Sequence, residues 1–593
     1  MVQNVVLSWS IQNGSVRVAF KDKNELKDTI DVARGLKKCT TVLKNATYLN
    51  VFTGEWQRGD VALHEGRIVG ICESYDGHQE IDCTQKFIVP GFIDSHVHIE
   101  STLMTPNEYQ KVVLPRGTTS AFVDPHEIVN VLGEKGFEYF LECASKSQMD
   151  IYVMLSSCVP ATTNLETSGA RIESTTLLKF KNHPNVVGLA EMMNFPGVLF
   201  KDEGVVEKLF DFQDVRIDGH CPMLRGKDLN AYIAAGMSSC HESVGLEEAK
   251  EKLDKGMLVQ LREGSVAKNL RDLCSILTSF SCGHVGLSTD DRNPVDILDE
   301  GHMDYLIRLA IKEGIPSEVV YKSASWSAAN HYGIKSKGAI APGYVADIVV
   351  LSDRETVKID FVFKSGEMIK SYDDVRDILV RPPKNNTMNY ELPVLKDLEI
   401  TSMAKLEQKI RAIEVIPNQI ITRERLEILP VIDGKVGSNP NRDILKIAVL
   451  ERHGNRKPIS KGFVSGFGFE RGAIGSSVGH DSHNAVVVGA NDDDMRLAFE
   501  WLKSNGGGFV AIDEGRVIAG LPLPIAGLMS DSSLDSIYKN MHELRTATRD
   551  LGGRLDEPFL QLAFLCLPVI PDLKITDLGL VDVNKFSFVD LLL

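Results

Sequence analysis

The sequence lacks any Cys-x-x-Cys pair, and the spacing of its ten cysteines matches neither a zinc-binding knot nor a small disulfide-rich scaffold. We therefore expect reduced thiols. Two of the cysteines lie beside histidines, Cys221 after His220 and Cys240 before His241. A metal ion at those histidines would make both thiols redox-sensitive.

Long apolar runs are also missing, because no stretch of about 18 consecutive apolar residues occurs. The amino terminus has no basic segment followed by an apolar segment and a cleavage site. These absences predict neither a membrane span nor a secretory signal, and they leave the cytoplasm as the default location.

Basic residues are outnumbered, with 65 Lys and Arg against 81 Asp and Glu and a formal net charge of −16. Nucleic acids and anionic membranes are bound through clustered Lys and Arg, so this balance predicts neither as a partner. It favours a small-molecule substrate. For oligomeric state the sequence offers only the general prior, which is a homodimer.

A length of 593 residues predicts two to four domains. Residues 91–335 alternate short apolar runs with helix-length amphipathic stretches, which predicts an α/β fold of the (β/α)8 TIM-barrel type. The competing fold is a doubly wound open sheet, but no Gly-x-Gly-x-x-Gly turn opens a helix in this region.

The segments outside the predicted barrel have a different residue pattern. Residues 1–40 carry no recognisable motif, whereas 41–90 and 336–395 are short strands with tight turns, which predicts one β-sandwich assembled from both flanks of the barrel. Residues 396–593 predict a further α+β domain. Its first part, 401–416 (TSMAKLEQKIRAIEVI), is predicted to be helical.

A histidine pair ends the first predicted barrel strand, in VPGFIDSHVHIEST (89–102). His96 and His98 project from the same face of a strand, so both imidazoles can reach one ion, although such a pair alone is weak evidence. Further donors follow other predicted barrel strands, where barrel active sites are built. Each alone is more typical of a buried, hydrogen-bonded polar residue, but together they suit two divalent cations and a hydrolytic site: Glu191, His220, His241 and Asp290.

This order of donors resembles the amidohydrolase superfamily. Longer phrases resemble one family within it, the adenine deaminases: PGFIDSHVHIEST (90–102), DPHEIVNVLG (124–133), GLAEMMNFPGV (188–198), STDDR (288–292) and LPLPIAGLMSD (521–531). The similarity extends from about Thr41 to beyond Asp531. It implies hydrolytic deamination of adenine to hypoxanthine and ammonia, in purine salvage.

The resemblance also implies two divalent metal ions, with Mn or Fe(II) favoured and Zn compatible. The implied ligands are His96, His98 and Asp290 around one ion, His220 and His241 around the other, and Glu191 bridging the two.

Acid–base roles can be assigned to some of these residues and to their neighbours. A carboxylate next to both the metal and the nucleophile, such as Asp290, can carry a proton to the departing amine. A second acid is needed at N1 of the purine, for which Glu127 and Glu242 are the candidates. His126 is expected either to polarise the substrate or to bind a metal.

The segment REGS at 262–265 lies at another predicted strand end. Its side chains Arg262, Glu263 and Ser265 are candidates for reading the purine edge. His284 precedes Asp290 by a few residues and is predicted to lie in the core or behind the ligands. The loop GHDSHN (479–484), with His480, Asp481 and His483, could approach the barrel mouth or bind an additional ion, but a structural role is favoured because two histidines flanking an aspartate in a polar loop are more often structural.

This chain departs from the family pattern at three positions near the expected ligands, namely Cys221, Met223 and Cys240. None removes a ligand, but each is expected to influence the shape of the pocket.

Two other functions fit parts of the pattern. One is a different amidohydrolase reaction, on another nucleobase, a pterin or a cyclic amide, and the other is a barrel that serves only as a scaffold. The complete set of six donors disfavours the scaffold. The cytidine deaminase fold is excluded because its zinc signature, which pairs His-x-Glu with Pro-Cys-x-x-Cys, is incomplete: the sequence has no Pro-Cys-x-x-Cys.

Overall fold

A computed structural model describes residues 8–12, 15–417, 419–455 and 459–593. At its centre are eight parallel strands. Five form one sheet: Phe92–Val97 (β1), Thr118–Val123 (β2), Asp150–Leu155 (β3), Val186–Met192 (β4) and Arg216–Gly219 (β5). Three form a second sheet: Ser239–Cys240 (β6), Leu258–Arg262 (β7) and Val285–Ser288 (β8).

Single parallel bridges join these two sheets at both edges. One links Val97 at the end of β1 to Asp290 after β8, and the other links Ile217 in β5 to Met237 before β6. The strands therefore close into a barrel, which confirms the predicted TIM-barrel-like α/β fold.

Helices surround this barrel and cover the outer faces of its strands. Because the strands of a parallel barrel are covered on both faces, every residue of β1 and β2 is buried, including the polar residues of each strand. The surrounding helices are Ile99–Thr102 (3₁₀), Pro106–Val113, His126–Leu132, Glu134–Lys146, Ser174–Leu177, Phe195–Phe200, Glu203–Asp211, Gly226–Ala234, Leu246–Asp254, Leu270–Leu273, Pro294–Asp299, Met303–Lys312, Ser317–Lys322 and Ala328–His331.

The β-rich segments on either side of the barrel form one eight-stranded sheet. Phe87–Pro90, directly before β1, pairs antiparallel with Ile348–Asp353, which follows the last barrel helix. The other strands are Cys39–Asn50, Glu55–His64, Arg67–Cys72, Gly77–Asp82, Lys358–Lys364 and Glu367–Ile369. A hairpin of Ser8–Gln12 and Ser15–Ala19 and the helix Lys23–Ala33 precede this sheet.

The carboxy-terminal part contains a ten-stranded sheet packed against helices Asp492–Asn505, Leu534–Asp550 and Pro558–Phe564. In spatial order its strands are Ile400–Thr401, Lys435–Val436, Thr422–Ile432, Glu407–Val415, Ile459–Ser465, Leu445–Leu450, Ala485–Gly489, Ala473–Ser476, Gly508–Asp513 and Arg516–Pro522. A small sheet of Leu573–Thr576, Gly579–Asp582 and Ser587–Phe588 follows.

The helix predicted for 401–416 was wrong, because Glu407–Val415 is a strand that pairs antiparallel with Thr422–Ile432. Ile410, Ala412 and Val415 are buried in it. The charged residues of this segment, such as Lys409 and Glu414, favour a helix when considered locally, but the β-branched residues gain burial by pairing within the large sheet.

The carboxy-terminal domain rests on the barrel at the carboxyl ends of the strands. The backbone N–H of Ser530 donates to the carbonyl of Leu103 at 2.9 Å, and the side-chain amide of Asn484 donates to the carbonyl of Thr167 at 2.8 Å. Among the described residues, no helix has both the length and the apolar composition that crossing a membrane requires.

Candidate metal centre

The structure brings the six predicted donors together at the carboxyl end of the barrel. Their places along the barrel strands bring them there. The histidine pair lies at the end of β1 and the glutamate lies in β4, while His220, His241 and Asp290 come within two residues of the ends of β5, β6 and β8, respectively. All six side chains are buried, with exposures of 2–6%: His96, His98, Glu191, His220, His241 and Asp290.

Glu191 lies at the middle of this cluster, and its two oxygens face different histidines. Oε1 is 3.4 Å from Nε2 of His98 and 3.8 Å from Nε2 of His96. Oε2 is 2.7 Å from Nδ1 of His220 and 3.2 Å from Nε2 of His241. One carboxylate therefore contacts two separate pairs of imidazoles, which is the position of a bridging ligand.

The first pair of histidines shares a face with Asp290. Nε2 of His96 and Nε2 of His98 are 3.1 Å apart, and Oδ1 of Asp290 is 3.5 Å and 3.2 Å from them, respectively. Nδ1 of His98 is hydrogen-bonded to the carbonyl of Asp124 at 2.9 Å, which directs Nε2 into the cluster. The backbone N–H of Asp290 donates to the carbonyl of His96 at 3.0 Å. This backbone contact between the ends of β1 and β8 holds His96 and Asp290 next to each other.

The chemistry of this donor set fits divalent metal binding. Ligands about 2.1 Å from a tetrahedral ion lie about 3.4 Å from one another, and the donors in the cluster have similar separations. Nε2 of His220 and Nδ1 of His241 are buried without a hydrogen-bond partner in the described part of the chain. Imidazole and carboxylate donors suit transition metals, and two triads of these donors lie close enough together to hold an ion: His96, His98 and Asp290, and His96, Glu191 and His241.

Both carboxylates are held in the ionised form that a ligand needs. Burial raises the pKa of Glu191, but His241 and His220 outweigh burial and hold that pKa well below its ordinary value. Burial likewise raises the pKa of Asp290, but the guanidinium of Arg262 and hydrogen bonds from His96 and His98 hold it well below its ordinary value.

Arg262 ends β7 and is clamped between two carboxylates. Its Nη1 is 2.9 Å from Oδ2 of Asp290 and also contacts Oε2 of Glu242, while its Nη2 is 2.8 Å from Oε1 of Glu242. The guanidinium therefore pairs with carboxylates on both sides. Its pairing with Glu242 holds that carboxylate beside His241, whose Nε2 is 4.0 Å from Oε2 of Glu242.

The other two candidates in the REGS segment, Glu263 and Ser265, have polar partners outside the cluster of six donors. The hydroxyl of Ser265 donates to Oδ2 of Asp296 at 2.6 Å, and Oε2 of Glu263 accepts from the backbone N–H of Leu270 at 3.3 Å. Burial raises the pKa of Glu263 to about 7. Among the described residues, neither side chain makes a polar contact with the six donors.

His126 and Glu127 begin the helix after β2 and lie next to the cluster. Nδ1 of His126 is 3.0 Å from Oδ2 of Asp124 and 3.5 Å from Oε1 of Glu191. The hydroxyl of Ser101 donates to Oε1 of Glu127 at 2.8 Å. Asp124 had not been singled out from the sequence, although its place directly after β2 is the same signal that marked the other donors.

The loop at 479–484, which was expected to be structural, reaches the same mouth of the barrel. Nδ1 of His480 is 3.6 Å from Oε1 of Glu127, and Oδ1 of Asp481 is 3.7 Å from Nε2 of His126. His483 is buried behind them, where its Nδ1 accepts from the backbone N–H of Gly479 at 3.4 Å.

The expectation for His284 was wrong. This residue is exposed, because it precedes β8 and therefore lies at the opposite end of the barrel from Asp290. Cys221 and Cys240, by contrast, are buried beside the ligands with their sulfur atoms 3.8 Å apart, and Nζ of Lys252 is 3.3 Å from Sγ of Cys240. Met223 is exposed at 61%, on the loop that follows His220.

The barrel and its donor cluster define a class of protein. Residues 87–369 match the model of the amidohydrolase family, so this part of the chain has the architecture and the donor set of a metal-dependent hydrolase. Residues 419–587 match the model of the adenine deaminase C-terminal domain.

Two relatives are similar over nearly the whole chain. An adenine deaminase of Sinorhizobium fredii is 47% identical over 564 residues, covering 95% of this chain and 99% of that protein. An adenine deaminase of Brucella suis is 48% identical over 568 residues, covering 94% and 96%. The chain belongs to the adenine deaminase family.

Proposed function

We propose that this protein converts adenine and water to hypoxanthine and ammonia, a reaction of purine salvage. The observation that carries the proposal is Glu191, whose two oxygens contact two separate pairs of histidines at the mouth of the barrel. Many amidohydrolases share such a set of donors. Adenine is selected among their substrates by the similarity, over 95% of the chain, to curated adenine deaminases.

The proposed site holds two divalent cations, Mn or Fe(II), with Zn also compatible with the donors. His96, His98 and Asp290 would hold one, His220 and His241 the other, and Glu191 would contribute to both. Cations bound there would supply Lewis acidity, which lowers the pKa of water from about 15.7 to about 7 and makes hydroxide available at neutral pH.

Asp290 transfers the proton that the attacking oxygen must lose. As the water oxygen bonds to C6 of adenine, the Asp290 carboxylate accepts a proton from it and then delivers that proton to the exocyclic nitrogen. The C6–N bond breaks, ammonia leaves, and the oxygen remains as the carbonyl of hypoxanthine. Arg262 keeps Asp290 ionised and oriented, because one guanidinium nitrogen donates to Oδ2 and leaves Oδ1 directed at the histidines.

N1 of the purine must gain a proton during the same reaction. Of the two candidates, Glu242 has both oxygens engaged by Arg262, so neither is free to face the purine. Burial raises the pKa of Glu127, although His480 opposes this rise, so Glu127 is the better proton donor. We assign the protonation of N1 to Glu127.

The test is an assay of ammonia release from adenine, run on protein stripped of metal and then reconstituted separately with manganese, iron(II) and zinc. Adenosine, guanine and cytosine are the matched alternative substrates, and metal-free protein is the control. We expect release from adenine alone, at two cations per chain. Release from another nucleobase but not from adenine would replace the proposal with a different amidohydrolase reaction.

A further inference from the structure

The loop Gly479–Asn484 of the carboxy-terminal domain covers one side of the barrel mouth and is fixed in place. The backbone N–H of His480 donates to the carbonyl of Ala563 at 3.1 Å, and its ring stacks on Phe564 with centroids 4.6 Å apart. Nε2 of His453 contacts the carbonyl of Ser482 at 2.8 Å. His480 and Asp481 are each only 2% exposed, so both belong to the interior of the protein.

These two side chains connect the loop to residues that begin the helix after β2. Nδ1 of His480 lies between two carboxylates, 3.5 Å from Oδ1 of Asp481 and 3.6 Å from Oε1 of Glu127. Oδ1 of Asp481 is also 3.7 Å from Nε2 of His126, whose Nδ1 is 3.5 Å from Glu191. A continuous series of titratable groups therefore leads from the carboxy-terminal domain to the candidate metal centre.

His480 carries a positive charge in this series and faces two carboxyl groups. Among the described residues, no lysine or arginine nitrogen lies within 4.0 Å of Glu127 or Asp481, and His480 contacts both. Burial lowers the pKa of His480, but Asp291, Asp481 and Glu127 outweigh burial and raise it to about 9. His480 is therefore an imidazolium at neutral pH, and it is packed among these groups and the two other histidines, His126 and His483.

A purely structural histidine would be expected to satisfy both ring nitrogens when buried. Nε2 of His480 has no hydrogen-bond partner in the described part of the chain, and neither does Oδ2 of Asp481. Two unsatisfied polar atoms in a fixed, buried loop carry a cost in free energy that packing alone does not explain, and such costs are typical of functional sites.

We propose that His480, held by Asp481, is a positioning residue for Glu127, which it keeps at the barrel mouth and reloads with a proton after each protonation of N1. This inference rests on the proposed deamination. It also gives the carboxy-terminal domain a part in the reaction, because the barrel alone lacks this partner for Glu127.

The proton balance of the step is closed. Glu127 gives a proton to N1, His480 passes its Nδ1 proton to Glu127, and His480 regains one from solvent. Water brings two protons to the reaction: one is lost to solvent when the hydroxide forms, and the other passes through Asp290 to the departing ammonia. The proton lost to solvent balances the one that N1 receives through His480 and Glu127.

The experiment compares wild-type, His480→Gln and His480→Ala proteins, each loaded with manganese. His542→Gln is the matched control, since His542 is on an exposed part of the helix Leu534–Asp550, remote from the cluster. Metal content, kcat and KM for adenine are measured from pH 6 to pH 10. A variant with full metal content and a wild-type thermal midpoint has kept its fold.

We expect His480→Gln to lower kcat about 10- to 100-fold, within the range for acid–base groups, while KM changes less. We also expect the wild type to lose kcat above about pH 9, as His480 loses its proton. This alkaline limb should be absent from the His480→Gln profile. Added imidazole should partly restore kcat in His480→Ala, which a structural role would not produce.

A His480→Gln protein with wild-type kcat and an unchanged alkaline limb would overturn the inference, as would a drop in kcat that tracks a loss of metal. Failure of the underlying function has a different signature. In that case the wild-type protein with two manganese ions would release no ammonia from adenine.

Discussion

Replacing Asp290 by Asn separates metal binding from proton transfer at the proposed site. The wild-type carboxylate divides its oxygens between two tasks, with Oδ2 accepting from Arg262 at 2.9 Å and Oδ1 lying 3.2 Å from His98. An amide has only one oxygen. Because the buried guanidinium needs an acceptor, we expect that oxygen to face Arg262 and the NH₂ group to face the histidines.

The expected magnitude follows from what the amide cannot do. It keeps the shape of the side chain and its bond to Arg262, and the cluster still contains four imidazoles and Glu191, so metal content should fall by less than half. An amide accepts no proton at neutral pH, so the general base is lost. Such groups contribute about 10²- to 10⁴-fold, which corresponds to about 2.7–5.4 kcal/mol in the activation barrier.

The assay measures ammonia release from adenine at saturating substrate, with metal content determined on the same sample. Asp254→Asn is the matched control, because Asp254 ends the helix Leu246–Asp254 and is exposed. We expect the control to retain wild-type kcat. An Asp290→Asn protein that turns over adenine within about twofold of the wild type would refute the assigned role.

Three other predictions follow from the same structure. Glu191→Gln should reduce metal content from two ions to one or fewer and abolish activity, because the carboxylate serves both pairs of histidines; a protein that still holds two ions would contradict its bridging position. Lys364→Met should lower the thermal midpoint, because Lys364 is a buried lysine that pairs with Asp347 at 3.0 Å and breaking such a pair costs about 3–5 kcal/mol. The value of kcat should not change, because this pair is remote from the barrel mouth. Hydrogen peroxide should oxidise the buried thiols of Cys221 and Cys240 to a disulfide, with one H₂O₂ reduced to two water molecules. Activity should fall and return when dithiothreitol is added. An unchanged thiol content after treatment would count against this prediction.

The sequence was sufficient to predict the barrel and its six donors because both depend on local patterns. A strand places alternate residues on one face, so the spacing of His96 and His98 already implies a shared target. The barrel topology then brings every strand end to one mouth. Positions directly after strands, such as His220 and Asp290, could therefore be assigned to that mouth without knowledge of side-chain contacts.

Contacts between distant segments left no such signal. The approach of His480 to Glu127 depends on how the carboxy-terminal domain packs on the barrel, and neither local sequence contains that information. The strand Glu407–Val415 was misjudged for a related reason. Its Lys and Glu residues favour a helix, but pairing within a ten-stranded sheet outweighs local preference by burying Ile410 and Ala412.

The donors in the barrel explain hydrolysis but not the choice of substrate, since the same ligands suit many amide and amidine bonds. Deamination of a purine adds a requirement that simple amide hydrolysis lacks, namely a proton for the ring nitrogen N1, which is bonded to the reacting carbon. In the proposed mechanism that proton comes from Glu127, whose contact His480, with Asp481 beside it, belongs to a different domain. On this proposal the carboxy-terminal domain contributes to the reaction on a purine, and we expect substitutions in the loop 479–484 to change the ratio of kcat values between purine substrates more than they change metal affinity.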